Sequence, residues 1–206
     1  TDPKKGCLRE LVDRCNWRSL PVPPAVGGRY SVLTAVGLLP ASLCGIDIRT
    51  LIHGAKTALA SLKSATVDHG LVRWLSGWRQ QHDRCPNVVH FAYRDRLVTL
   101  GDWFAQLWAE SLGKRLDLDG NEVFRGSTPL VARGVTDQHS LVQLFVEGPA
   151  DKQFLILDAR LPSTIGTISE ASAGLHEDLQ YLAGKSLEEL RLAELEGTVA
   201  ALQSAG

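Results

Sequence analysis

Asn87-Val88-Val89-His90-Phe91-Ala92-Tyr93, with Thr99-Leu100-Gly101-Asp102 a few residues further on, decides the fold. The first run is short, apolar and rich in β-branched and aromatic residues, which is the composition of a buried strand. Thr99 followed three residues later by Asp102 has the spacing of a capping box, so a helix is expected to open there. A strand that feeds a helix calls for a parallel strand to follow, and the order recurs. Leu130-Val131 leads into a helix over 137–147, and Phe154 to Asp158 leads on to later helices. The second half of the chain is therefore expected to be α/β, a doubly wound parallel sheet flanked by helices.

Upstream of that strand the signals are helical. Asp2-Pro3 has the form of an N-cap and first turn, predicting a helix through about Arg14. Arg18 to Val22 is expected to be a strand that Pro23 and Pro24 cut short. The apolar run from Ser31 to Leu43 reads as a buried helix. Asp47 and Asp68 are each placed to cap a helix, the first running to about Leu62, the second carrying Leu71, Leu75 and Trp78. Downstream, helical character returns over Leu175 to Ala183 and again from Leu187 to about Gln203, with Glu188, Glu189, Arg191 and Glu194 on an expected solvated face. A sheet that lacks its first strand and stops on a helix reads as truncated at both ends.

Composition narrows the function. The 206 residues are 44% hydrophobic and 22% charged, enough for a real core. Lys and Arg total 22 against 23 Asp and Glu, a formal charge of -1 that supplies no pull towards nucleic acid or an anionic membrane. The longest apolar stretch, Ser31 to Ile46, is broken by Pro40 and falls short of the roughly 20 residues of a membrane helix. Cys7, Cys15, Cys44 and Cys85 lack the close pairing of zinc or redox sites, so four reduced, mostly buried thiols, no metal and a cytoplasmic location are expected.

Three places could carry chemistry. Gly27-Gly28-Arg29 lies between an expected strand and an expected helix, the address at which α/β sheets bind ligands; two glycines permit close approach and Arg29 brings a permanent charge. In the helix opened by Thr99, the face of Leu100, Phe104, Leu107 and Ser111 should pack on the sheet, while Gln106 and Glu110, four apart, stack on one flank beside Trp103. Thr136 is a candidate N-cap that puts His139 in a first turn, where the helix dipole disfavours the imidazolium. Taken singly, each has an ordinary alternative: a tight turn, a carboxylate facing water, a capping histidine.

The longer strings resemble one family. Pro23-Pro24-Ala25-Val26-Gly27-Gly28-Arg29-Tyr30-Ser31-Val32-Leu33, then Trp103 to Glu110-Ser111-Leu112-Gly113-Lys114, then Gly134-Val135-Thr136-Asp137-Gln138-His139-Ser140 are similar, in that order, to motifs of the glucose-6-phosphate isomerases. The resemblance implies a sheet of the sugar-isomerase (SIS) type, with residues 1–46 ending a first SIS domain, 47–84 as connecting helices and 85–206 as an incomplete second SIS domain. It implies an aldose-ketose isomerase that acts on glucose 6-phosphate and fructose 6-phosphate through a cis-enediolate without metal or cofactor. Catalytic roles would fall to Glu110, Arg29 and His139, with Gly28 and Gln106 touching substrate, and His139 donated across a homodimer. Phosphate-binding loops and a lysine motif of the family have no counterpart here, so these 206 residues alone are expected to be inactive. A noncatalytic sugar-phosphate-binding module and the isomerase half of a fused pentose-phosphate enzyme are the alternatives.

Overall fold

Helices fill the first third of the chain and a parallel sheet organises the rest. The structure, a computed structural model, describes residues 1–159 and 166–205. It divides into two compact units, Thr1–Gly77 and Trp78–Gly206. The first contains α1 (Cys7–Cys15), a 3-10 turn (Gly28–Leu33), α2 (Ala35–Leu43) and α3 (Ile48–Lys63), and α4 (Gly70–Gln81) carries the chain onward. The second contains β1 (Asn87–Ala92), α5 (Asp95–Leu112), a hairpin of β2 (Lys114–Leu116) and β3 (Glu122–Arg125), β4 (Thr128–Arg133), α6 (Gln138–Glu147), β5 (Lys152–Leu157), α7 (Glu170–Ala173), a 3-10 turn (Glu177–Leu182) and α8 (Leu187–Ala205).

β1 is the middle of a three-stranded sheet of order β4-β1-β5, parallel throughout, with Val89 paired to Leu130 on one side and Phe154 on the other. The chain leaves β1, crosses through α5 to β4, then crosses back through α6 to β5, so direction reverses around β1. Alternation along β1 sends Val89, Phe91 and Tyr93 to one face and Val88, His90 and Ala92 to the other. The first set forms a core with Ala132 and Phe145, covered by Leu141 and Val142 of α6 and Leu195 and Leu202 of α8. The second lies under α5, where His90 packs against Phe104 at 5.5 Å between ring centres. Helices therefore cover both faces, as the doubly wound expectation requires. Each fully buried Phe or Val contributes ~1.5–3 kcal/mol.

α5 departs from its expected start and its expected face. It begins at Asp95, where a carboxylate in the first turn suits the helix dipole, and Thr99 and Asp102 lie inside it. Gly101, not Leu100, faces the sheet: a Cβ there would stand 2.8 Å from both His90 Nδ1 and Val131 Cγ1. The missing side chain lets the helix axis come close, which rotates Leu100 outwards to 40% exposure. Beneath it His90 is buried with Nδ1 unbonded, and desolvation pushes its pKa down, partly opposed by its own backbone and by Asp102.

Several expectations for the first unit are corrected. Asp2 does not start a helix; its Oδ1 accepts from Lys4 and Lys5 N–H in a local turn, and Gly6 at φ 100 separates that turn from α1. Arg18 to Val22 is not a strand; its backbone meets Thr1, with Val22 N–H donating to Thr1 O and the Thr1 amino group to Leu20 O, and Ser19 Oγ accepts from Arg9. The Ser31 to Leu43 run breaks at Thr34, whose hydroxyl caps α2, and α2 buries no residue. Among the described residues of Thr1–Gly77 only Val12 and Ser31 are fully buried, so this segment has no apolar interior to enter. For the same reason Cys7, Cys15 and Cys44 are exposed rather than buried, with Cys85 half-buried and all four free. Asp47 caps α3 as expected, accepting from Arg49 and Thr50, whereas at α4 the Leu71 N–H donates to His69 Nδ1 and not to Asp68.

At the other end, the helix expected over Leu175 to Ala183 is a 3-10 turn. α8 begins where expected, behind a reciprocal pair: Glu189 N–H donates to Ser186 Oγ while Glu189 Oε2 accepts from Ser186 N–H. Among the described residues no helix is long and apolar enough to cross a membrane.

Candidate functional site

Parallel strands give the second unit two chemically different ends. At the carboxyl end, Gly134 follows β4 and lies against the ring of Tyr93, where a Cβ would fall 2.6 Å from a ring carbon. Asp137, rather than the expected Thr136, holds the N-cap position of α6, and its Oδ2 accepts from Arg133 N–H at 2.7 Å. Gln138 Nε2 donates to Tyr93 Oη at 2.8 Å, to Thr198 Oγ1 at 2.7 Å and to Glu194 O at 3.2 Å. The flanking residues of the histidine motif thus fasten the start of α6 to β1 and α8. His139 itself is exposed in the first turn, its ring held by no hydrogen bond among the described residues.

The same end carries an ion network that sequence reading missed. Arg94 donates to Glu188 Oε1 at 2.5 Å and to Ala159 O at 2.9 Å. Arg191 bonds both Glu188 oxygens at 2.8 and 3.1 Å, meets Asp158 at 2.8 Å and reaches Tyr93 O. Glu188 and Arg191 were expected on a solvated face; instead their side chains are 19% and 13% exposed. Hydrogen bonding to Arg191 first, then Arg94, holds the Glu188 carboxyl at a pKa of about 2. The carboxyl-end crevice, the usual ligand address in such sheets, is here occupied by fixed charges. Nothing in the separate segments marks the pairing.

Glu110 is at the opposite end. α5 leaves the carboxyl end of β1 and runs 18 residues, about 27 Å, back along the sheet. Trp108 Nε1 donates to Ser127 Oγ at 3.1 Å, which fixes the last turn of α5 beside the start of β4. There Gln106 Nε2 lies 3.4 Å from Glu110 Oε1, both side chains on the exposed flank, so the structure brings these two predicted residues together as expected. Trp103 is 42% exposed, and Trp108 meets Trp78 edge-on and lies tilted against Phe104. Glu110 and His139 are not brought together: a six-residue strand, about 20 Å, separates their ends of the sheet.

The third candidate belongs to the first unit. No strand precedes Gly27 among the described residues, so the expected strand-to-helix address is replaced by a loop entering a 3-10 turn. Ser31 Oγ donates to Gly28 O at 2.6 Å and Tyr30 N–H to Gly27 O, which closes the turn. A Cβ on Gly28 would meet no atom within 4 Å. The Arg29 guanidinium sits 5.0 Å from the centre of the Tyr30 ring, a cation–π contact. Among the described residues no group of three His, Cys, Asp or Glu side chains is placed to hold a metal ion.

Comparison with known proteins converges on one family. The phosphoglucose isomerase family model matches residues 15–153. Glucose-6-phosphate isomerases from Rubrobacter xylanophilus and Carboxydothermus hydrogenoformans are 43% and 40% identical over the whole chain, and the chain covers 46% and 44% of them. It therefore spans about half the length of these curated relatives. A hypothetical protein from Thermus thermophilus superposes on the whole chain with a TM-score of 0.81 at 37% identity, this chain covering 48% of it. A glucose-6-phosphate isomerase structure from Chlamydia trachomatis shares the fold over 89% of the chain and 34% of its own, with a TM-score of 0.61 at 20% identity.

Proposed function

Since the chain belongs to the phosphoglucose isomerase family, we propose that it contributes the base, the oxyanion partner and the ring-opening histidine to interconversion of glucose 6-phosphate and fructose 6-phosphate. Glu110 takes the carbon-bound proton from one of the first two sugar carbons and returns it to the other, through a cis-enediolate. Arg29 faces the oxygen on which negative charge develops, lowering the barrier electrostatically. Gln106 and Gly28 touch the sugar, Gln106 through its amide and Gly28 by leaving room for the ligand beside the backbone. His139 exchanges a proton with the ring oxygen or the anomeric hydroxyl during opening.

The observation that carries this reading is the Gln106–Glu110 pair, an exposed carboxylate and amide on the last turn of α5. As the family resemblance implies, His139 serves the site of a second copy and the working unit is a homodimer; the placement of Glu110 and His139 at opposite ends of one sheet supports that reading. The division into residues 1–46, 47–84 and 85–206, the cytoplasmic location and the absence of a cofactor belong to the same proposal. So does the inactivity of these 206 residues on their own. Against a noncatalytic sugar-phosphate module stands the retention of a proton-shuttling carboxylate with its arginine and histidine.

Glu110→Gln in the complete gene product tests it. Exchange of the substrate's carbon-bound proton with solvent is expected to fall at least 1,000-fold, as loss of general base catalysis allows (about 10²–10⁴), with circular dichroism unchanged. Wild-type exchange in a folded variant removes Glu110 from the mechanism.

A further inference from the structure

Glu110 stands on an exposed flank, yet the turn that carries it is fastened from the inside. The carbonyls that end a helix lack partners within it. Here Ala109 O accepts from Gly113 N–H at 3.0 Å and Ser111 O from Lys114 Nζ at 2.8 Å, which closes the end of α5. Rotation of that turn is a separate matter, and Trp108 governs it. At about 100° per residue, two positions turn a side chain by about 200°, so Trp108 is directed inwards and half-buried where Glu110 is directed outwards and exposed. The indole meets Phe104 at 5.1 Å between ring centres and Trp78 edge-on at 5.0 Å.

Ring contacts tolerate sliding and tilting, whereas a hydrogen bond is directional. Trp108 Nε1 makes one, donating to Ser127 Oγ at 3.1 Å, and Ser127 is buried. The acceptor is itself fixed. Thr128, the next residue, donates its N–H to Pro86 O at 2.9 Å and pairs with Asn87 in the parallel sheet. On the other side a Cβ on Gly126 would lie 3.2 Å from Gly113 Cα, so the segment before β4 packs directly on the end of α5. With a side-chain radius of about 6 Å around the helix axis, a rotation of about 10° displaces the Glu110 carboxylate by about 1 Å, an error that can slow catalysis about 100-fold. We propose that Trp108 and Ser127 are positioning residues for Glu110: their hydrogen bond sets the rotation of the last turn of α5 and so the approach of the carboxylate to the sugar. The inference rests on the reading of Glu110 as the base.

Trp108→Phe in the complete gene product tests it, since an aromatic ring stays against Phe104 and Trp78 while the N–H is lost. The sugar still binds and only the proton transfer is misaligned, so kcat is expected to fall about 10- to 100-fold with KM within about twofold of wild type. Ser127→Ala is expected to do the same, and the double variant no worse than either single one, as for two groups that act through one bond. In a Glu110→Gln background Trp108→Phe is expected to lower the residual rate no further. Rates are compared well below the melting temperature of each variant, where a purely structural role leaves kcat unchanged. A wild-type kcat in the folded single variants overturns the inference, as does an additive loss in the double variant or a further fall in the Glu110→Gln background. Wild-type activity of Glu110→Gln itself overturns the reading of the base, and this inference with it. Should Trp108→Phe fail to fold, Ser127→Ala removes a single oxygen and carries the same test.

Discussion

The two ends of the parallel sheet differ in how their polar groups are used. At the carboxyl end Gln138, Arg94, Asp158, Glu188 and Arg191 are bonded to neighbouring side chains or to backbone, while His139 is left exposed. At the amino end Glu110 and Gln106 lie on an exposed flank, next to a hairpin that buries almost nothing. A fixed network suits a load that must not move, such as the docking of α8 across β1 and β5. An exposed carboxylate suits a group that must meet a ligand or a second chain. Proximity in sequence to a motif therefore does not mark a residue as chemical: Gly134, Asp137 and Gln138 hold the scaffold, and their neighbour His139 does not.

The sharpest way to break this comparison is Gly134→Ala. Its Cβ would enter the Tyr93 ring, which is fully buried and tethered by Gln138, so the ring has nowhere to go. Overpacking of this kind is expected to cost about 3 kcal/mol, read as a lower urea midpoint; an unchanged midpoint would show that the carboxyl end is looser than its contacts indicate. A smaller effect is expected from Glu188→Gln. Because the folded pKa of Glu188 is depressed from 4.5 to about 2, its ion pairs stabilise the fold fully above pH 4.5 and are lost as pH falls through about 2. Melting temperatures of wild type and variant should accordingly differ at neutral pH and converge in acid; a constant difference would assign the network no electrostatic role. Smallest of all on stability is Gly28→Ala, within about 0.5 kcal/mol, since its Cβ meets nothing. In the complete protein the same methyl is expected to raise KM for the sugar phosphate, and an unaltered KM would remove Gly28 from the substrate's surroundings.

Much of the second unit was legible in the chain. The strand at Asn87, its parallel partners around Leu130 and Phe154, the helix after Asp137 and the stacking of Gln106 on Glu110 were all read from local patterns, and all are present. Two things were legible but passed over: the Ser186 and Glu189 capping box, and the turn-forming Asp117 to Asn121 run between Leu116 and Val123 that announces the hairpin. The buried helix after Ser31 misled because apolar composition states a capacity for burial, and whether burial occurs depends on what else is packed there.

What the chain determined alone is the set of properties that act within a turn or two: strand and helix order, the Asp47 cap, and which residue types stand at the three motifs. Those depend on backbone propensity and short-range hydrogen bonds, which neighbouring residues settle. Tertiary structure alone decided that Glu110 and His139 lie at opposite ends of one sheet, that Gly101 turns α5 so that Leu100 faces out, and that Arg94 meets Glu188 across 94 residues of sequence. Each of these depends on chain reversals and on the closest approach of packed surfaces, and neither quantity is stored in any local stretch of the chain.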